Sequence, residues 1–144
     1  MKCPLCQKTL LVVERHGIEL DYCHKQHGIW FDDSELNLYL LDLDLTLPRL
    51  DQFAEADNRQ TKTKKKKCPR CQKAMIAFYA NPHQTLILDR CPKGHGIWFD
   101  HGELETLLDI LEAERQDPDP ASPVFSLIGE TFAHSAQTPA PILI

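Results

Sequence analysis

The residues best suited to do chemistry are six cysteines and two histidines, and their spacing repeats. Cys3, Cys6 and Cys23 are followed by His27; Cys68, Cys71 and Cys91 are followed by His95. A Cys-x-x-Cys turn holds two thiolates close together on a tight loop. A second short loop can then complete a shell of four donors, which is what zinc needs for a tetrahedral site. The expected cofactor is therefore Zn²⁺, two ions in all. One would be held by Cys3, Cys6, Cys23 and His27, the other by Cys68, Cys71, Cys91 and His95. The second loop is Cys-x3-His, one residue longer than Cys-x-x-Cys, and the longer histidine side chain accommodates the difference. His24, beside Cys23, is a rival donor. The repeat decides against it: His24 aligns with Pro92, which has no ligating side chain, whereas His27 aligns with His95.

An even number of cysteines also admits a disulfide framework. The opening Met1-Lys2 runs straight into Cys3-Pro4-Leu5-Cys6 with no apolar signal region, which reads as a cytoplasmic chain. Close cysteine pairs in a reducing compartment favour metal. No apolar run approaches the roughly 18 residues of a membrane span, because Asp42 and Asp44 break the leucine-rich stretch 36–47. No membrane partner is expected.

Catalysis is not expected either, and no catalytic residue is assigned. Four protein ligands leave zinc no open position for water or substrate. His101-Gly102-Glu103 resembles the His-x-Glu of zinc deaminases, but it follows the cysteines, and the first copy has Asp33-Ser34-Glu35 instead. There is no His-Glu-x-x-His, phosphate loop or nucleophile elbow. His16, His83 and His134 stand alone in turn or tail positions.

The elements that position the ligands follow from the repeat. Residues 2–8 match 67–73 at an offset of 65, and 27–32 match 95–100 at an offset of 68. The three extra residues of the second copy fall at 80–84, opposite 15–17, where both stretches have turn chemistry. The flanks, 9–13 with 18–22 and 75–79 with 85–89, read as hairpin strands. A helix follows each hexapeptide His-Gly-Ile-Trp-Phe-Asp. Asp32 with Glu35, and Asp100 with Glu103, fit a capping box with Asp as the N-cap. Leu36, Tyr39, Leu40 and Leu43 share one helix face, and Leu104, Leu107, Leu108 and Leu111 share the equivalent face. Beyond Leu41 the leucines fit helix and strand alike. The fold class is a small metal-stabilised α+β protein of two tandem zinc-binding modules, each a hairpin followed by a short helix. The divisions are 1–41, a linker 42–66, 67–112 and a tail 113–144. In the tail Val124, Phe125, Ile128 and Phe132 suggest a short amphipathic helix. Modules of about 40 residues need metal, so each module is expected to depend on its own ion.

The net charge of −5 is unevenly spread. Residues 61–73 hold seven basic side chains and no acid, leaving −12 on the rest. Two zinc ions on six ionised thiols would move the total to about −7. Lys62, Lys64, Lys65, Lys66, Lys67 and Arg70 could contact phosphate, or could form a solvated linker. Lys2, Lys8, Lys67, Arg70 and Lys73 flank the first knuckles and could instead offset thiolate charge. Trp30-Phe31 and Trp98-Phe99 could stack on bases. Each Trp is instead expected to lid its knuckle and pack on hairpin and helix. Gly28 and Gly96 are read as permitting the turn out of the knuckle.

Both copies resemble the TFIIB-like zinc-ribbon family, the transcription factor zinc-finger domain. The family pattern is similar to Cys-Pro-x-Cys, a hairpin, Cys-Pro-x-Cys-Gly-Gly-x-Trp-x-Asp and Glu-Leu. This chain supplies Cys3-Pro4-Leu5-Cys6, Gly28-Ile29-Trp30-Phe31-Asp32 and Glu35-Leu36. It then supplies Cys68-Pro69-Arg70-Cys71, Gly96-Ile97-Trp98-Phe99-Asp100 and Glu103-Leu104. It departs at the fourth ligand, where Gln26 and Gly94 stand in place of Cys and His27 and His95 follow. The resemblance covers roughly 1–41 and 67–111 and speaks to fold more than function. The leading functional expectation is a non-enzymatic adaptor docking a protein partner, with a link to transcription implied by the family. A nucleic-acid binder using 62–67 is second, and a thiol-redox or metal-handling protein third. Homo-oligomer formation is left open.

Overall fold

The computed structural model describes residues 1–46, 54–56 and 65–116. The expected linker reading at Lys62 and Lys64 and the expected tail helix at Val124, Phe125, Ile128 and Phe132 lie outside the described residues.

Each copy folds as a three-stranded meander followed by a helix. The first contains β1 (Leu11–Arg15), β2 (Ile18–Tyr22), β3 (Gly28–Asp32) and α1 (Glu35–Asp42). The second contains β4 (Ile76–Tyr79), β5 (Ile87–Arg90), β6 (Gly96–Asp100) and α2 (Glu103–Gln116). The metal-stabilised α+β class holds, and the hairpins fall where the pattern placed them. His16 and Gly17 close the first hairpin with positive φ of 54° and 76°, the two-residue turn that suits strand twist. The three extra residues of the second copy lie at the other hairpin tip. There the Asn81 side chain accepts from the Thr85 and Leu86 backbone N–H groups at 3.1 and 3.0 Å. Helix α2 continues through 113–116, beyond the boundary expected at 112.

Strands β3 and β6 lie outside the expected hairpins. These strands pair antiparallel with each other and fuse the two copies into one six-stranded sheet, ordered β1-β2-β3-β6-β5-β4. Trp30 lies opposite Trp98, so a pseudo-two-fold axis passes through that pair. The cross-copy hydrogen bonds obey it. Asp33 N–H donates to the His95 carbonyl at 3.1 Å, and His101 N–H donates to the His27 carbonyl at 3.0 Å.

Strand alternation sends successive side chains to opposite faces. One face carries the helices and a core built from both copies. Ile18, Leu20, Phe31, Leu36, Tyr39 and Leu40 meet Phe78, Leu88, Phe99, Leu104, Leu107 and Leu111. The expected helix faces are the buried ones. Phe31 and Phe99 touch edge-to-face across the axis, 5.4 Å between centroids. The other face carries Trp30, Trp98 and both sets of cysteines. The tryptophans therefore lid the knuckles but do not pack on the helices; Phe31 and Phe99 do that. Both tryptophans are fully buried, which removes them from base stacking.

The glycine reading also changes. A Cβ on Gly28 would fall 2.1 Å from the Phe99 carbonyl oxygen and 2.6 Å from Trp98 Cζ2. A Cβ on Gly96 would fall 2.1 Å from the Phe31 carbonyl oxygen and 2.8 Å from Trp30 Cζ2. These glycines let the two copies approach each other; they do not serve the knuckle turn.

The segment between the copies is partly built into the fold. Leu45, Ala56 and Lys66 are buried. Residues 54–56 cover the outer edge of β4, with Ala56 N–H donating to the Ala77 carbonyl at 2.9 Å and Tyr79 N–H to the Ala54 carbonyl at 3.2 Å. Among the described residues nothing covers the matching edge of β1, whose five residues are all exposed. No helix among the described residues is long and apolar enough to cross a membrane.

Candidate metal centres

Each candidate site joins a knuckle before the hairpin to a second loop after it. In the first knuckle Gln7 N–H donates to the Cys3 carbonyl at 2.9 Å, and Gln7 takes φ 62°. In the second copy Gln72 N–H donates to the Cys68 carbonyl at 2.9 Å, with Gln72 at φ 64°. The second loops turn just before the histidine, at Gln26 (φ 62°) and Gly94 (φ 76°). These are the two positions where the family pattern has Cys. They now turn the chain and hand the ligand position to His27 and His95.

The structure brings together Cys3, Cys6, Cys23 and His27, and separately Cys68, Cys71, Cys91 and His95. Within each set the ligand atoms all lie within 4.8 Å of one another. His24 is exposed and belongs to neither set. All six cysteines are free, so the disulfide reading is not realised. Cys6 and Cys23 sulfurs stand 3.7 Å apart, and Cys71 and Cys91 sulfurs 3.6 Å. His27 Nδ1 lies 3.7 Å from Cys3 Sγ and 3.6 Å from Cys23 Sγ. His95 Nδ1 lies 3.5 Å from Cys91 Sγ.

These distances match the edges of a zinc tetrahedron. With about 2.3 Å to sulfur and about 2.05 Å to nitrogen, the edges come to about 3.8 Å for S···S and about 3.6 Å for S···N. Covalent S–S bonding would require about 2.05 Å. Three thiols and one imidazole nitrogen on this frame fit Zn²⁺ with Nδ1 as the histidine donor. Backbone N–H groups of Leu5, Arg70 and Lys93 point at Cys3, Cys68 and Cys91 Sγ, each at 3.4 Å, and would delocalise thiolate charge. Burial pushes the Cys3 and Cys68 thiols up to about 11 and about 12. The Lys73 N–H, the largest influence on Cys71, helps bring that thiol down to about 6. Cys71 is therefore poised to ionise, whereas Cys3 and Cys68 must have their protons displaced by an arriving metal.

Acidic side chains behind the sites have specific partners. Trp30 Nε1–H donates to Asp32 Oδ1 and Trp98 Nε1–H to Asp100 Oδ1, both at 2.9 Å. This corrects the expected capping box by half. Glu35 and Glu103 do accept the backbone N–H of Asp32 and Asp100, at 3.0 and 2.8 Å. The aspartates themselves serve the indoles, and Ser34 occupies the N-cap position of α1 without a side-chain bond. Burial, chiefly, raises Glu103 to about 7.

Two of the residues read as phosphate contacts are committed elsewhere. Lys66 is buried and its Nζ donates to Asp89 Oδ2 at 2.9 Å and to Asp100 Oδ2. Burial disfavours its charge, but these bonds outweigh that and leave its pKa above the ordinary lysine value. Arg70 Nη1 reaches Asp32 Oδ1 of the other copy at 3.4 Å. Lys65 and Lys67 are exposed.

The transcription factor zinc-finger family pattern matches this chain twice, at residues 2–41 and 67–110. The two matches cover more than half of the chain, and the protein belongs to that zinc-ribbon family. No curated protein and no solved structure matches it. Family and donor geometry together define a zinc-binding protein with two Cys3His sites.

Proposed function

We propose that the chain is a non-enzymatic, zinc-structured adaptor that docks an extended segment of a protein partner along the β1 edge. The observation that carries this reading is the unequal treatment of two equivalent edges. The β4 edge is covered by 54–56, and Phe78 fills the space beneath it with Arg90 stacked on its ring at 5.1 Å. At the matching positions of the first copy stand Val13 and Tyr22, and a groove opens there between Val13, Leu20, Tyr22, Ile29, Phe99 and Leu104. Leu11, Val12 and Val13 are 44%, 60% and 40% exposed along this edge. Among the described residues this edge is uncovered, and an uncovered apolar edge is a template for strand addition. Closed four-ligand sites support a structural role for the metal, with the zincs holding the edge rigid. A role in transcription and a cytoplasmic setting belong to the same proposal. The engagement of Lys66 and Arg70 by carboxylates leaves the nucleic-acid alternative with fewer free cations.

A photo-crosslinking residue at position 12 tests this directly. A protein partner joined at that position, and lost when Val13 is replaced by Lys, supports the proposal. A strictly monomeric protein with no crosslinked partner at the edge overturns it.

A further inference from the structure

We infer that the two metal sites load as a positively coupled pair, each site being held in shape by the other copy. This rests on the zinc reading of the two Cys3His sets.

The histidine turns are where the two copies meet the metal sites. His27 is followed by Gly28, and Trp98 of the second copy lies directly over that glycine, 2.6 Å from where a Cβ would be. The His27 carbonyl accepts the His101 N–H at 3.0 Å. By the pseudo-two-fold, His95 is followed by Gly96, which lies under Trp30 of the first copy. The His95 carbonyl accepts the Asp33 N–H at 3.1 Å. Each imidazole is thus aimed by backbone that the opposite copy clamps on both sides. Each clamping tryptophan is in turn held by its own copy through Asp32 or Asp100, and both are buried among the cysteines of the two sites. Arg70, inside the second knuckle, adds an ion pair to Asp32 of the first copy.

A site ordered by its metal fixes its own strand and tryptophan. Those groups order the histidine turn of the second site before its metal arrives, so the second ion meets a shell whose ordering entropy is already partly spent. Linkage requires the effect to be equal in both directions.

The distribution of metal among chains reads this coupling without any activity assay. Zinc is added to the metal-free full chain at one ion per molecule under reducing conditions. Native mass spectrometry then counts chains carrying zero, one and two ions. Independent sites of equal affinity put one half of the chains in the singly loaded state, and independent sites of unequal affinity put more than half there. Only positive coupling brings it below one half. A coupling factor of about 10 to 100 would leave about one quarter to one tenth of chains singly loaded for sites of equal intrinsic affinity. In Gly28→Ala, which forces the copies apart, and in the milder Trp98→Phe, the singly loaded fraction is expected to rise. A wild-type fraction at or above one half overturns the inference. A low wild-type fraction unchanged in Trp98→Phe overturns the route through the β3–β6 contact. A chain that takes up no zinc overturns the metal reading itself, a distinguishable result.

Discussion

Replacing Gly28 by Ala probes the contact that makes two ribbons one structure. The new Cβ would sit 2.1 Å from the Phe99 carbonyl oxygen, where folded proteins keep such contacts above 3.0 Å. The ladder must therefore open by about 1 Å, and the obstacle is backbone, which cannot rotate aside as a side chain can. Overpacking a well-filled interior costs about 1–3 kcal/mol when side chains yield. The upper end applies here, about 3 kcal/mol, because the same movement disturbs the Phe31–Phe99 contact on the other face. For a chain of this size that is roughly 10–14 °C in Tm. The assay is thermal unfolding of the zinc-saturated protein followed by tryptophan fluorescence. The two tryptophans of the chain, Trp30 and Trp98, face each other at the axis and report on this contact. Gly17→Ala is the control. It has open space around the new methyl but a φ of +76°, and should lose about 1 kcal/mol. A Gly28→Ala protein no less stable than Gly17→Ala would refute the close approach of the two copies.

Lys66→Met should destabilise the protein by about 3–5 kcal/mol, because it leaves Asp89 and Asp100 facing each other without their cation; urea unfolding at pH 7 measures it. Glu103 has a folded pKa raised from 4.5 to about 7, so the folded state binds the extra proton and this group's contribution to stability declines as pH rises from 4.5 to 7. Glu103→Gln keeps an acceptor for the Asp100 N–H, and should gain on wild type as pH rises from 6 to about 7, with no further gain above that, in thermal scans of the zinc-loaded protein. His27→Ala should reduce bound zinc from two ions towards one or none by elemental analysis, whereas His24→Ala should leave both.

Much of the site was legible in the sequence because its signals are local. Cys-x-x-Cys turns and a histidine at a repeated offset need no knowledge of distant partners, and alignment of His24 with Pro92 excluded the rival donor. Helix faces such as Leu36, Tyr39 and Leu40 followed from period alone. The joining of the copies was not legible in the same way. Gly-Ile-Trp-Phe-Asp is short and follows directly on a ligand, so nothing local distinguishes a strand from a lid over the metal. A signal was nonetheless present. The hexapeptide from His27 is identical to that from His95, as suits a strand that pairs with its own repeat around a two-fold axis. Lys66 was misplaced for a related reason. Within a lysine run it reads as a phosphate contact or a solvated linker residue, and only the fold reveals that it meets Asp89 and Asp100, 23 and 34 residues away.

The central claim is that two Cys3His sets each hold zinc and so set the frame on which the sheet is built. X-ray absorption spectroscopy of the purified protein, with a metal count on the same sample, tests it most directly. Two zinc ions per chain are expected, each with three sulfurs at about 2.3 Å and one nitrogen at about 2.0–2.1 Å. A metal-free folded protein, or a zinc shell dominated by oxygen, would contradict the account.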